Sequence, residues 1–298
     1  MPTALIHGMS PLTMGATVFA ADEITPDPGV NLDLFRHSGN AYGSQALRLG
    51  IAPSVRFRTP FLPVFNALGF RTTKLTAFSF TFRKFTDYLT ASGSVHPTFS
   101  LAASATAAAR IVGASVSQRG LLMADVDVTP LSADGLVSPL SQANAALPTL
   151  AAEPALHTLG PVVVNGTKIN GVANAGFDLG INLVGDPNDG ETYTRTVHET
   201  DADPTLNFEH NDPVTLLTSL GLAGVEASSN IDFYFRDITN GMAAATGLRL
   251  RCALGTLIPG AFQMRRGAVL SQGASMKPLS VSTTHPIVVA TGQTIPVG

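Results

Sequence analysis

Along much of the chain apolar and polar residues alternate one by one, the period of a strand with a single buried face. Phe78, Phe80 and Phe82 alternate with Ser79, Thr81 and Arg83, and Ile231, Phe233 and Phe235 alternate with Asp232, Tyr234 and Arg236. Leu248, Leu250 and Cys252 alternate with Arg249 and Arg251, and Phe99 and Leu101 make a comparable pair. Cys252, on the apolar side, is expected to be a small buried hydrophobe. Gly (28) and Pro (20) are plentiful, which predicts many short strands joined by turns.

Two stretches change to a helical period. Over 212–221, Asp212 is a good N-cap, Pro213 suits the first helical position and Gly221 can close in the left-handed conformation. Val214, Leu217 and Leu220 form its apolar face. Over 60–69 the same grammar recurs, with Thr59 as cap, Pro60 as opener, Leu62, Phe65 and Leu68 as the face and Gly69 as the stop. Pro63 falls early enough in that helix to be tolerated.

The two helices belong to a longer repeat. Pro53-Ser-Val-Arg-Phe57 aligns with Pro204-Thr-Leu-Asn-Phe208, and Leu62–Gly69 with Val214–Gly221. Phe78–Arg83 aligns with Ile231–Arg236, Ile111-Val-Gly-Ala114 with Ile258-Pro-Gly-Ala261, and Arg119-Gly120 with Arg266-Gly267. The starts match at Ala4-Leu5 and Ala155-Leu156, and the ends at Pro139-Leu140 and Pro286-Ile287. A series in one order at a nearly constant offset predicts two tandem copies, residues 1–150 and 151–298, with a short linker near 149–154. The expected fold is mainly β: two copies of a β-sandwich or barrel, each flanked by one short α-helix.

Composition sharpens this picture. Apolar residues make up 45% and charged residues only 13% of 298 positions. So little charge predicts that much of the surface meets other protein. The formal net charge of −3 argues against a basic nucleic-acid groove, since Arg83-Lys84 and Arg265-Arg266 are the tight basic pairs. A single cysteine forms no internal disulfide framework. No apolar run reaches the length of a membrane-spanning helix. The N-terminal stretch has no Lys or Arg before Arg36 and is broken by Pro11 and Gly15, so no signal peptide is expected.

The charge is divided unevenly. Residues 1–150 hold ten basic against eight acidic side chains, net +2, and residues 151–298 hold eight against thirteen, net −5. The densest polar stretch, Asp186 to Asp212, reads as an exposed acidic hairpin turning at Asp186-Pro-Asn-Asp-Gly190. Its His198-Glu199 and Glu209-His210 are ligand types for a divalent cation, yet the turn lacks calcium-loop spacing and the first copy has no counterpart. No catalytic, cofactor or metal residue is therefore assigned. Phosphate loops, dinucleotide fingerprints, nucleophile elbows and paired-His zinc helices do not occur, and no enzyme activity is expected. His7, His37, His96, His157 and His285 stand singly and read as structural residues. Candidate interface residues are the acidic Asp186, Asp189, Glu191, Glu199, Asp201 and Asp203, facing the basic Arg56, Arg58, Arg71 and Lys74 of a neighbouring chain or ring. The other placement for the acidic segment is the wall of a DNA channel.

The order of elements resembles that of the tail tube (major tail) proteins of long-tailed bacteriophages. The likeness runs through an extended start, a hairpin, a capped helix ending in Leu-Gly, the strand Ile231-Asp-Phe-Tyr-Phe-Arg236, then Leu257-Ile-Pro-Gly-Ala261 leading to Arg266-Gly267. It implies β-sandwich domains closed by a helix, stacked as rings around a DNA conduit in the virion and assembled in the host cytoplasm. It also implies partners among the chain's own copies and other tail proteins, and no membrane. A duplicated chain departs from six single-domain subunits per ring, and three chains would supply six domains. The rival class is a capsid-decorating, adhesin-like or carbohydrate-binding β-sandwich, against which stand the lack of Trp and the placing of most Phe on alternating faces.

Overall fold

A computed structural model describes residues 10–35, 45–61, 63–82, 95–149, 155–169, 171–186, 190–211, 226–238, 246–263, 271–280 and 285–296. Among them the chain is built of β-strands, with one short helix. The helix expected over 212–221, Leu62, Asp189 and both tight basic pairs lie outside the described residues.

The first half opens with β1 (Ser10–Met14), β2 (Thr17–Ala21), β3 (Glu23–Asp27), β4 (Val30–Phe35), β5 (Gln45–Ile51) and β6 (Ser54–Thr59). The helix α1 (Pro63–Leu68) follows, then β7 (Thr73–Leu75), β8 (Phe78–Thr81) and β9 (His96–Leu101). The long β10 (Thr106–Ser117), β11 (Met123–Leu131) and β12 (Leu140–Ala145) complete it. The second half runs β13 (His157–Val164), β14 (Thr167–Ile169), β15 (Val172–Asp178), β16 (Ile181–Asp186), β17 (Thr196–Ala202) and β18 (Thr205–His210). It ends with β19 (Glu226–Asp237), β20 (Thr246–Gln263), β21 (Ser271–Pro278) and β22 (Ile287–Thr294).

The pairings of the first half recur in the second. One sheet orders β2-β1-β8-β9-β12, and the matching strands order β14-β13-β19-β20-β22. The other runs β10-β11-β6-β3 with β7 also on β10, matched by β20-β21-β18-β15 with the start of β19 on β20. Thus β19 stands for β7 and β8 together, and β20 for β9 and β10. The hairpins β4–β5 and β16–β17 correspond too, with a register shift at Asn31/Leu32 in one and Asn182/Leu183 in the other. A bulge falls at Ile111/Gly113 in β10 and at Pro259/Phe262 in β20. Even the turns agree. Gly29 N–H donates to Asp27 Oδ1 and Gly180 N–H to Asp178 Oδ1, both at 2.8 Å, with φ of 58° and 56°.

The alternation read from sequence follows burial except at Thr81 and Tyr234, which lie on the polar side of the pattern and are buried. Phe78 and Phe80 are buried on β8 and Ile231, Phe233 and Phe235 on β19, while Ser79 and Asp232 are partly open. Leu248, Leu250 and Cys252 are buried on β20. Leu12, Phe19 and Phe80 of one sheet and Val55, Phe57, Ile111 and Val126 of the other enter one continuous buried cluster, which extends into the second half through Leu206, Phe208, Phe233 and Met276. At about 25 cal/mol per Å² of apolar area, this burial is the main stabilising term.

The helix differs in its start. Thr59 ends β6, and its Oγ1 accepts the Phe61 N–H at 3.1 Å while donating to Ala20 O at 2.8 Å. The capping contact therefore forms, but on a turn that precedes the helix, and α1 begins at Pro63 instead of Pro60. Val64, Phe65 and Leu68 are buried, and Gly69 closes the helix at φ 63° with its N–H on Phe65 O.

Candidate interaction surface

The two halves meet edge to edge. β10 pairs antiparallel with β15, Gly113 opposite Asp178 through Ser117 opposite Asn174, so the larger sheets of both halves become one. Leu179 N–H donates to Val112 O at 2.8 Å, and Gln118 N–H to Ala173 O at 2.7 Å. The alternation of an antiparallel ladder then places the hydrogen-bonded pairs at Val112/Leu179, Ala114/Phe177 and Val116/Ala175. Glycines permit the approach. A Cβ on Gly113 would lie 2.4 Å from Phe177 O, and one on Gly176 would lie 2.6 Å from Ala114 O.

Side chains reinforce the joint. The Arg110 guanidinium donates to Ile181 O across the joint and to Asp127 Oδ2 at 3.1 Å within its own half. Phe177 packs against Phe65 and Phe70, with ring centroids 5.9 and 5.8 Å away, and His285 stacks on Phe70 at 5.1 Å. Burial, with the neighbouring Arg71 charge, keeps His285 below the usual imidazole value despite its hydrogen bond to Ile287 and the nearby Glu199.

The acidic hairpin β16–β17 also reaches the first half. Ile51 N–H donates to Thr192 O, Thr192 and Tyr193 N–H to Gly135 O, and Ser132 N–H to Thr194 O. Glu191 accepts from Arg195 at 3.1 Å, and a Cβ on Gly135 would collide with the Glu191 side chain. Glu199 accepts the Thr72 N–H at 3.3 Å, beside Arg71. Asp186 lies 3.7 Å from His198, and Asp203 accepts from Lys277 Nζ at 2.5 Å. Asp201 is exposed and accepts the Ala202 N–H.

Of the basic residues, Arg56 faces Asp127 at 4.0 Å and Arg58 faces Asp125 at 3.6 Å, both on the neighbouring strand β11. Lys74 is exposed on β7. The acidic segment and the first half's Arg71 region are thus brought together within one chain, whereas Arg56 and Arg58 meet acids of their own half. Glu209 accepts from Asn174 at 2.7 Å, and His210 is buried with its ring 5.9 Å from Phe208. Among the described residues, no group of three or more His, Cys, Asp or Glu converges to hold a metal ion. No described helix is long and apolar enough to cross a membrane.

Sequence reasoning did not find Gly113, Gly176, Phe177, Arg110 or His285 as joint residues. A usable signal was the run Gly176-Phe177-Asp178-Leu179, in which Phe and Leu bracket an acid directly before Gly180. No protein-family model matches the chain, and no curated protein matches it.

Proposed function

We propose that this chain is a structural, ring-forming virion subunit: a tail tube protein of a long-tailed bacteriophage in which residues 1–150 and 151–298 are tandem copies of one β-sandwich domain. Three chains supply six domains around a ring, and stacked rings enclose a conduit through which double-stranded DNA passes without sequence readout. The chain performs no catalysis in this role. Its partners are its own copies and other tail proteins.

The observation that carries the reading is the β10–β15 ladder, which joins the two halves of the chain edge to edge. Recurrence of the same strand pairings in both halves supports the duplication. A protein of repeated domains joined edge to edge generates a closed or helical assembly by repetition of one contact. Low charge and the apolar composition support a surface that is covered in use.

Negative-stain electron microscopy of the purified chain tests this directly. Rings or hollow filaments are expected. Compact single-chain particles at high protein concentration, with no rings, would overturn the proposal.

A further inference from the structure

The outer faces of the two smaller sheets differ in chemistry although their strands match. In the first half one cross-strand row runs Val18, Thr13, Ser79, Ser100 and Ser141, and the next holds Thr81, Thr98 and Ala143. These rows carry no charge, and their hydroxyls bond one another. Ser100 Oγ lies 3.2 Å from Ser141 Oγ, and Thr81 Oγ1 lies 3.0 Å from Thr98 Oγ1. With Phe80 set on Phe233, the same positions of the second half hold Lys168, Val163, Asp232, Arg251 and Val288, then Tyr234, Arg249 and Ala290. Three cations therefore stand with one acid, on a face of the half whose total charge is net −5. Asp232 is shared, its Oδ1 4.0 Å from Arg249 Nε and 3.8 Å from Arg251 Nε. Among the described residues Lys168 has no acid within ion-pair distance, and Arg251 is exposed beside Val288, itself 54% exposed.

The hairpins differ in step with the faces. Residues 181–202, spanning β16–β17, contain Asp186, Asp189, Glu191, Glu199 and Asp201 against Arg195 alone. Residues 30–51, spanning β4–β5, contain Asp33 against Arg36 and Arg48. On β16 Asp186 and the exposed Val184 stand two residues apart, on one side of the strand, and Asp201 is exposed on β17. The described bonds of this hairpin run within itself and to the first half, and none runs to the basic face. An acidic surplus and a basic one, each beside an exposed valine, thus occur together in one copy and are missing together from the other.

We infer that the acidic hairpin β16–β17 of one chain docks on the basic outer face of β14-β13-β19-β20-β22 in a second copy. The inference rests on the ring reading and places this contact between stacked rings. In a ring of three chains the halves alternate, so the ring neighbours of a second half are first halves. A contact between two second halves then joins one ring to the next. Rings of six similar domains can stack in two registers, one domain apart. In one register the acids of each hairpin meet Lys168, Arg249 and Arg251. In the other they meet the hydroxyl face, and both surpluses go unpaired. Complementary charge therefore selects the register, as it does at protein interfaces generally, while each exposed pair adds little strength by itself.

Charge exchange tests the pairing. The face variant is Lys168→Glu with Arg251→Glu, and the hairpin variant is Asp186→Lys with Asp201→Lys, all four at exposed or half-exposed positions. Circular dichroism and melting temperature check that each variant folds. Sedimentation velocity and negative-stain microscopy then separate single rings from stacks. Each variant alone should form rings. With two charges reversed in each of three chains, the concentration for half-stacking should rise at least about tenfold. All four substitutions in one chain should restore most of that loss, because a basic hairpin then meets an acidic face. Impaired stacking that the combined variant does not restore would overturn the pairing. Stacking indifferent to both variants would overturn it too and leave the face to another acidic partner. Loss of the rings themselves in a folded variant would overturn the placement between rings. A parent chain that forms no rings at any concentration would overturn the ring reading, and the docking with it.

Discussion

Gly113 is the residue on which the joint between the halves turns. Its missing side chain lets the Phe177 carbonyl approach, and any Cβ there would sit 2.4 Å from that oxygen. Gly113→Val should therefore cost about 1–3 kcal/mol of unfolding free energy by forcing the ladder apart. Gly273→Ala, where a Cβ meets nothing within 4 Å, should stay within about 0.5 kcal/mol of the parent in the same denaturant titration. Equal effects at both sites would show that the close approach does not govern stability. Sequence alone did not distinguish Gly113 from a turn glycine, because the carbonyl it admits lies 64 residues further on. Two histidines add a pH dependence. His157 and His285 are held below the ordinary imidazole value of 6.5, chiefly by burial. The unfolded chain then binds protons more readily than the folded one, so their share of stability is complete above about pH 6.5 and is lost as the pH falls below it. Thermal unfolding followed from about pH 8 to about pH 5 should show a falling melting temperature, with a shallower fall for His285→Gln. An identical pH slope in that variant would remove His285 from the account.

At the scale of elements, the strands were largely legible, because a one-sided sheet imposes a period of two that burial then enforces. Phe80 on β8, Phe233 on β19 and Leu250 on β20 fall where the alternation puts them. Tyr234, read as outward, is buried. It lies against Gly160, where β13 shifts register between Leu159 and Val162, and a bulge cannot be seen in a pattern of single residues. The beginning of α1 was misread for a related reason. Thr59 and Pro60 satisfy the rules for a helix start, but tertiary pairing keeps Thr59 in β6, where it also bonds Ala20 O. What no local pattern could supply is the contact of α1 with the other half. Phe177 is buried with its ring against Phe65 of α1 and against Phe70, so Phe177→Ala should cost about 3–5 kcal/mol, measured by chemical denaturation. A loss below about 1 kcal/mol would mean that the halves are held by the backbone ladder alone.

On the scale of the whole molecule, the halves share their strand pairing while differing in charge, net +2 against −5. In the proposed ring, edge-to-edge joining needs only the first property, and the second would order which copy meets which. The acidic hairpin bonds the first half of its own chain at Gly135, Ile51 and Thr72, so a contact with a neighbouring chain or a place on a channel wall falls to its exposed acids. Asp201 is the informative residue there, since Asp203 already pairs with Lys277 of its own half. Asp201→Lys should leave the melting temperature of the free chain unchanged and make assembly weaker and salt-sensitive. Normal assembly with impaired DNA passage would favour the channel instead. The most direct measurement of the central claim is native mass spectrometry of the assembled protein, joined to image averaging without imposed symmetry. The predicted result is a ring of three chains in which six similar β domains alternate between two kinds of joint. A ring of six chains, or particles of a single chain with no ring, would contradict it.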